Sequence, residues 1–301
     1  MGSADVTGVA SRVAGLAEQL PWWVKVLVKL VLARLPVRYG GWRTLGVFRH
    51  GSMLDADYAV NVFAGHYERT RTWLPTGFSV LELGPGDSLA TSVVAAAHGS
   101  ARTLLVDTAS FASADFPQYK PVFDALERCG HDVEALRKCR SVSEMLRVAN
   151  TVYLTGGLES LRTIPSASIE FIFSQAVIEH IRQDEVGAIF RELHRLQPPG
   201  GVASHRVDFQ DHLSHSLNSL RFSETTWESE LFASSGFYTN RLRASEIEKL
   251  LVAAGYEVMH RHADRWPRPP LSRRQMNEAF RGLPDDDLLV YGLDIVVRKP
   301  N

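Results

Sequence analysis

The chain of 301 residues carries 33 Lys and Arg against 34 Asp and Glu, and is 45% hydrophobic and 22% charged. That is ordinary globular stock, sized for one large domain or two small ones with a sizeable core. The near-neutral charge argues against a broad phosphate-binding surface, because nucleic-acid binders carry a basic excess. Two cysteines, Cys129 and Cys139, are too few for a zinc cluster or a disulfide framework, which makes a reducing cytoplasm the expectation.

Met1-Gly2-Ser3 opens as myristoylation signals do, but Val6 stands where Ser or Thr is needed, so the start is read as unstructured. The stretch from Trp22 to Arg34 is amphipathic. It is shorter than the ~18 residues of a membrane span, and Lys25 and Lys29 share one face. No small-residue cleavage site follows at a sensible distance, which argues against a signal peptide.

From Phe78 onward, strand-like runs alternate with helix-like ones, which predicts a parallel sheet with helices on both faces. Phe78 to Leu83 is a first strand, ending at Gly84-Pro85-Gly86, and Ala90 to Ala97 a helix. Thr103 to Asp107, Thr151 to Leu154 and Ile169 to Phe173 are the next strands. A helix carrying Glu192, Leu193 and Leu196 runs to a stop at Pro198-Pro199-Gly200-Gly201, and Val202 to Val207 is the fifth strand. Ala244 to Ala254 is an amphipathic helix closed by Gly255; Tyr256 to Met259 and Leu288 to Val297 are the last strands. Residues 1–75 are read as an N-terminal helical cap or lid and 76–301 as the main domain. Insertions at about 111–149 and 211–242 serve either as lids or as extra packing layers.

The chemistry sits in Val80-Leu81-Glu82-Leu83-Gly84-Pro85-Gly86-Asp87-Ser88. A strand ending in Gly-x-Gly lets backbone N–H groups approach a ligand with no Cβ in the way. Asp107 follows at the carboxyl end of the next strand, where an acid can grip both hydroxyls of a ribose. That spacing predicts an adenosine-containing ligand. A dinucleotide site would continue with a third small residue, but Leu89 occupies that place.

The Glu82-x-Gly84-x-Gly86 form resembles the class I S-adenosylmethionine-dependent methyltransferases. So do Phe171-Ile172-Phe173-Ser174-Gln175-Ala176-Val177-Ile178-Glu179-His180-Ile181, the run Leu193 to Gly201, and the closing pair around Val258 and Ile295. Together these cover residues 75–298. The resemblance implies a Rossmann-like α/β fold, with a mostly parallel seven-stranded sheet whose last strand is antiparallel, and S-adenosylmethionine as cofactor. It implies that Glu82, Gly84, Pro85 and Gly86 line the methionine portion, Asp107 binds the ribose and the backbone around Gln175 the methionine ammonium. Ser88 stands where many members have a third glycine. The loop from Thr155 to Glu159 offers no Asp for the adenine amino group, which leaves Leu158 to pack the ring.

Methyl transfer to a hydroxyl benefits from a general base. The candidates are His180 after the fourth strand, and His205 and Asp208 at the fifth. Within one strand His205 and Asp208 diverge, so their pairing requires the strand to end before Asp208. His205, Asp208, Asp211, His212 and His215 also suggest a metal cluster. The metal-dependent members place an Asp directly after the fourth strand, where this chain has Ser174-Gln175, so solvated loop histidines are the expectation and no metal is assigned.

No Asn/Asp-Pro-Pro-aromatic run follows the fourth strand and neither cysteine follows a proline, which disfavours nucleic-acid bases as acceptors. The segments carrying Phe111, Phe116, Tyr119 and Phe123, then Phe222, Trp227, Phe232, Phe237 and Tyr238, either line a pocket for a planar acceptor or cement the packing. Arg221, Arg241 and Arg243 are read as solvated, with an acidic acceptor group as the alternative. Arginine outnumbers lysine 27 to 6, a mark of GC-rich bacterial coding. The favoured function is methylation of a small molecule on oxygen, nitrogen or aromatic carbon such as indole, in bacterial secondary metabolism. The alternatives are a glycan or lipid-linked sugar acceptor, with Trp22–Arg34 resting on a membrane surface, and a non-catalytic cofactor-binding scaffold. A homodimer is compatible with the sequence.

Overall fold

The computed structural model describes residues 21–32 and 53–301. Met1 to Val6, with Ala33 and Arg34 of the amphipathic stretch, lie outside the described residues. In chain order the elements are α1 (Trp22–Leu32), α2 (Ala56–Thr70), β1 (Ser79–Leu83), α3 (Ala90–Ala97), β2 (Arg102–Val106), α4 (Lys120–Arg128), α5 (Glu134–Arg137), α6 (Val142–Val148), β3 (Thr151–Leu154), α7 (Gly157–Thr163) and β4 (Phe171–Gln175). They continue with α8 (Val186–Leu196), β5 (Val202–Asp208), α9 (Glu224–Trp227), α10 (Glu230–Ala233), α11 (Ala244–Ala253), β6 (Glu257–Arg265), α12 (Asp285–Leu289) and β7 (Val290–Arg298).

The strand order is β3-β2-β1-β4-β5-β7-β6. β3, β2, β1, β4 and β5 pair in parallel, and β7 runs antiparallel to β5. This is the seven-stranded Rossmann-like sheet expected. Strand order reverses between β1 and β4, and in open α/β sheets ligands bind beyond the carboxyl ends of the strands at that point.

The described residues divide into two compact units, one of 53–208, 244–264 and 292–301, the other of 21–32, 209–243 and 265–291. α2, within the expected cap of 1–75, lies in the unit that holds the sheet. α2 belongs with the sheet because its stripe of Ala59, Val62, Phe63, His66 and Thr70 is buried at helical spacing. Asp55 caps the helix, accepting from the Tyr58 N–H at 3.0 Å.

The insertion 111–149 is packing. Phe116, Tyr119, Val122, Phe123, Leu126, Leu136 and Met145 share one buried cluster with Val80, Leu105, Phe171 and Phe173. The Tyr119 hydroxyl donates to the Ser113 carbonyl at 2.7 Å. Four aromatic rings read as pocket-lining candidates are thus three core rings and the half-buried Phe111.

In the other unit, Trp227, Phe232, Phe237 and Tyr238 gather with Leu213 and Val26 of α1. Arg241 and Arg243 are buried at 6% and 2% exposure, contrary to the solvated reading. The reason is a supply of backbone carbonyls. Arg243 donates to the carbonyls of Asp287 and Val290 at the end of α12 and to that of Phe209. Arg241 donates to the Phe222 carbonyl at 2.9 Å, and its guanidinium lies 4.8 Å from the Phe280 ring centre. Arg221 is half-buried, with its Nε donating to Asn218 Oδ1 at 2.8 Å.

Candidate functional site

After Leu83 the chain turns at once, with Gly84 at φ +73 and Gly86 at φ +67. Such left-handed positions cost an L side chain about 1–2 kcal/mol. The two glycines differ in their surroundings. A Cβ on Gly84 would lie 2.5 Å from Val177 Cγ2, so the segment after β4 packs on the turn itself. A Cβ on Gly86 would meet nothing within 4 Å. Pro85 between them is buried.

Asp107 braces this turn from the neighbouring strand. It accepts from the Gly86 N–H at 3.0 Å and the Thr108 N–H at 2.7 Å. Burial raises its pKa, opposed by those two N–H groups. The Asp107 carbonyl accepts from the Gly157 N–H at 2.8 Å, which fixes the start of α7 and places the half-buried Leu158 directly after it.

Glu82 is fully buried, and burial pushes its carboxyl up to about 8, with the Thr91 side chain opposing and the Asp107 charge adding. Its Oε2 makes no hydrogen bond. An orphaned buried carboxyl oxygen beside a turn open at Gly86, with an acid at the end of β2, fits an adenosyl amino acid: acceptors for an ammonium and for ribose hydroxyls, and bare backbone between them. Ser88, in the place of a third glycine, supports the helix that follows the turn. It is buried at 1% exposure and its Oγ accepts from the Ala90 N–H at 3.2 Å, steadying the start of α3.

β4 is shifted by two residues from the expected Ile169–Phe173. The N–H groups of Ser168 and Ile169 donate to the Leu196 carbonyl, at the end of α8. Pairing with β5 then runs on to Gln175 opposite Arg206. Ser174 and Gln175 are therefore strand residues with opposite faces. Gln175 lies on the α2 face, as does Glu82, whose register partner is Phe173.

His205 is fully buried on the other face. Its Nδ1 is 2.8 Å from Ser174 Oγ, its ring packs on Phe190 of α8, and burial holds its pKa down at about 4. β5 continues through Asp208, so His205 and Asp208 point to opposite faces. The pair considered from sequence is not brought together, and His205 is a core histidine. Asp208 is half-buried on the α2 face, at the strand end. His180 ends a 3-10 turn, Ile178–His180, and is exposed, while Glu179 before it is buried. Burial raises the Glu179 carboxyl to about 8, with the Asp208 charge adding.

Asp211 accepts from the N–H groups of Leu213, Ser214 and Asn218, and is spent on its own turn. Among the described residues, no three His, Cys, Asp or Glu side chains converge as a metal site would require.

One residue of this region escaped the sequence reading. His66 of α2 is fully buried, with Nδ1 2.8 Å from Ser204 Oγ and Nε2 3.0 Å from Gln175 Oε1. The signal for it was its place on the apolar stripe of α2, a helix the sequence reading did not delimit.

The family described as "Methyltransferase domain" matches residues 57–261. No curated protein matches the chain. Among solved structures, an S-adenosylmethionine-dependent methyltransferase from Mesorhizobium loti is 14% identical over 81% of this chain and 100% of its own, with a TM-score of 0.45. One from Methanosarcina mazei is 14% identical over 78% and 98%, with a TM-score of 0.47. A putative sarcosine dimethylglycine methyltransferase from Galdieria sulphuraria is 13% identical over 81% and 86%, with a TM-score of 0.44.

Proposed function

Because the chain belongs to the methyltransferase-domain family and is an S-adenosylmethionine-dependent enzyme, we propose that the carboxyl ends of β1, β2 and β4 hold that cofactor and that the acceptor is a small molecule. The observation that carries the placement is the turn open at Gly86 and braced by Asp107. In this reading Glu82, Gly84, Pro85 and Gly86 flank the methionine portion, Asp107 takes the ribose hydroxyls and Leu158 packs on the adenine. The backbone at Gln175 takes the ammonium, and Ser88 supports the turn from behind.

When bound, the cofactor supplies a methyl group on a sulfonium, an excellent leaving group. What the chain adds is alignment, worth about 7–11 kcal/mol in well-oriented reactions, and for a hydroxyl acceptor a base worth ~10²–10⁴ in rate. Asp208, at the strand end on the face shared by Glu82 and Gln175, is the base this reading favours. His180 is the second candidate.

The small-molecule assignment is supported by the neutral charge and by Ser174 and Gln175, whose side chains are engaged by His205 and His66 rather than framing a planar amino group. Tailoring of a secondary metabolite on oxygen, nitrogen or aromatic carbon follows as the working class. Transfer of a labelled methyl group to a panel of hydroxylated and indolic small molecules, against oligonucleotides and peptides, tests it. Label in the macromolecules alone would refute it.

A second reading, a lipid-linked sugar acceptor at a membrane surface, is favoured by α1. Val26 is buried there, whereas Trp23, Leu27, Val28 and Val31 are exposed, the arrangement of an interfacial helix. No helix among the described residues is long and apolar enough to cross a membrane. Co-sedimentation with anionic vesicles supports this reading if it is lost on Trp23→Ala, and refutes it if there is none.

A further inference from the structure

His66 has two ring nitrogens and three neighbours. Arg69 Nη2 lies 3.3 Å from Nδ1, and a guanidinium has donors only. Nδ1 must therefore be the bare nitrogen, accepting from Arg69 and from the Ser204 hydroxyl. That leaves the hydrogen on Nε2, where it donates to Gln175 Oε1 at 3.0 Å. With the Gln175 amide turned over, its NH₂ would face Nε2, forcing the ring hydrogen onto Nδ1 and against Arg69. The Arg69 contact therefore selects the orientation with Oε1 toward His66. Burial, with the Arg69 charge adding, holds the ring pKa down at about 3, so the ring stays neutral throughout the neutral range and the Arg69 contact selects the tautomer.

The consequence is at the other end of the amide. With Oε1 engaged by His66, Gln175 Nε2 makes no hydrogen bond to any described residue, and Gln175 is only half-buried. Two donors are thus presented from the end of β4, on the face that carries the orphaned acceptor oxygen of Glu82 one strand away. An acceptor and a donor pair on adjacent strand ends suit a zwitterionic amino acid. The nearby cations are already paired, Arg69 with Asp294 and Arg206, the register partner of Gln175, with Asp264 and Asp294.

We propose that His66 is a positioning residue which fixes the Gln175 amide so that its NH₂ binds the amino-acid carboxylate of the cofactor. The inference rests on the cofactor placement proposed above, and the experiment separates the two. The probes are S-adenosylhomocysteine and 5′-methylthioadenosine, which lacks the amino-acid portion, titrated calorimetrically into wild type, Gln175→Glu, Gln175→Leu and His66→Leu.

Gln175→Glu keeps an oxygen for the His66 N–H but replaces the donors with a carboxylate oxygen. A charge-assisted hydrogen bond corresponds to roughly tenfold or more in affinity. S-adenosylhomocysteine should therefore weaken at least tenfold in Gln175→Glu and Gln175→Leu, with 5′-methylthioadenosine held within twofold. His66→Leu should show the same selective loss if it remains folded by thermal melt. Long-range ¹H–¹⁵N correlation on the wild-type protein should find His66 as the Nε2–H tautomer from pH 5 to 8, independently of any variant. Unchanged S-adenosylhomocysteine affinity in Gln175→Glu, equal weakening of both probes, or an Nδ1–H tautomer would each overturn the proposal. Binding of neither probe by the wild type would overturn the cofactor placement, and the proposal with it.

Discussion

Val177 Cγ2 stands 2.5 Å from where a Cβ on Gly84 would be, whereas a Cβ two residues on, at Gly86, would touch nothing within 4 Å. Both residues have positive φ, so alanine is strained at each, but the consequences separate. Gly84→Ala must push Val177 and the segment after β4 away, and should lower stability by about 2 kcal/mol or more once overpacking is added to strain. Gly86→Ala should cost about 1–2 kcal/mol from backbone strain alone while weakening S-adenosylhomocysteine at least tenfold. Urea unfolding and calorimetry on the two variants check this. Equal effects on both measurements would show that Gly86 serves only the turn.

Buried carboxyls make stability fall with pH. Glu82 and Glu179 are raised from an ordinary 4.5 to about 8, chiefly by burial. Between those values the folded chain holds protons that the unfolded chain has lost. Their contribution is complete below pH 4.5 and is lost as pH rises through 8, at up to about 1.4 kcal/mol per pH unit for each group. Glu179→Gln keeps the neutral shape without the titration. Its melting temperature should fall less between pH 6.5 and 8.5 than the wild type's; parallel curves would contradict the assignment.

The buried histidines act with the opposite sign. His205 is lowered from 6.5 to about 4 by burial, so the unfolded chain binds a proton the folded one refuses, and stability is lost as pH falls below 6.5. His205→Asn should soften the fall in melting temperature between pH 6.5 and 4.5, with S-adenosylhomocysteine affinity within twofold of wild type. A large loss of affinity would return His205 to the binding site.

Arg243 satisfies carbonyls of Phe209, Asp287 and Val290 from one planar guanidinium. Lysine cannot reproduce that fork. Arg243→Lys should destabilise by about 2–4 kcal/mol, the range for leaving buried polar groups unpaired, as measured by denaturant unfolding. A loss below 0.5 kcal/mol would mean that water replaces the fork.

What the sequence disclosed depended on the range of the forces involved. α3 was read at its observed bounds because Ala90 to Ala97 is a local pattern ended by Gly99, and the Gly84-Pro85-Gly86 turn announces itself by composition. β4 was misplaced because its register is set by long-range bonds: Ser168 and Ile169 are tied to Leu196, so pairing extends to Gln175 instead. That shift also hid which face Gln175 occupies. Aromatic residues between 111 and 149 read equally as lid or core from sequence, since ring content does not specify partners; burial of Phe116, Tyr119 and Phe123 with the sheet decides for core. Arg241 and Arg243 were misjudged because the carbonyls that hold them come from distant segments. His66 was missed for a similar reason, its two partners lying 109 and 138 residues away.

The central claim is that Asp107 and the turn it braces form the cofactor site. The most direct test is calorimetric titration of S-adenosylhomocysteine into wild type, Asp107→Asn and Asp107→Ala. Micromolar binding by the wild type, weakened at least tenfold in both variants, is the predicted result. Wild-type protein that binds no S-adenosylhomocysteine, or Asp107 variants that bind as tightly as wild type, would contradict it.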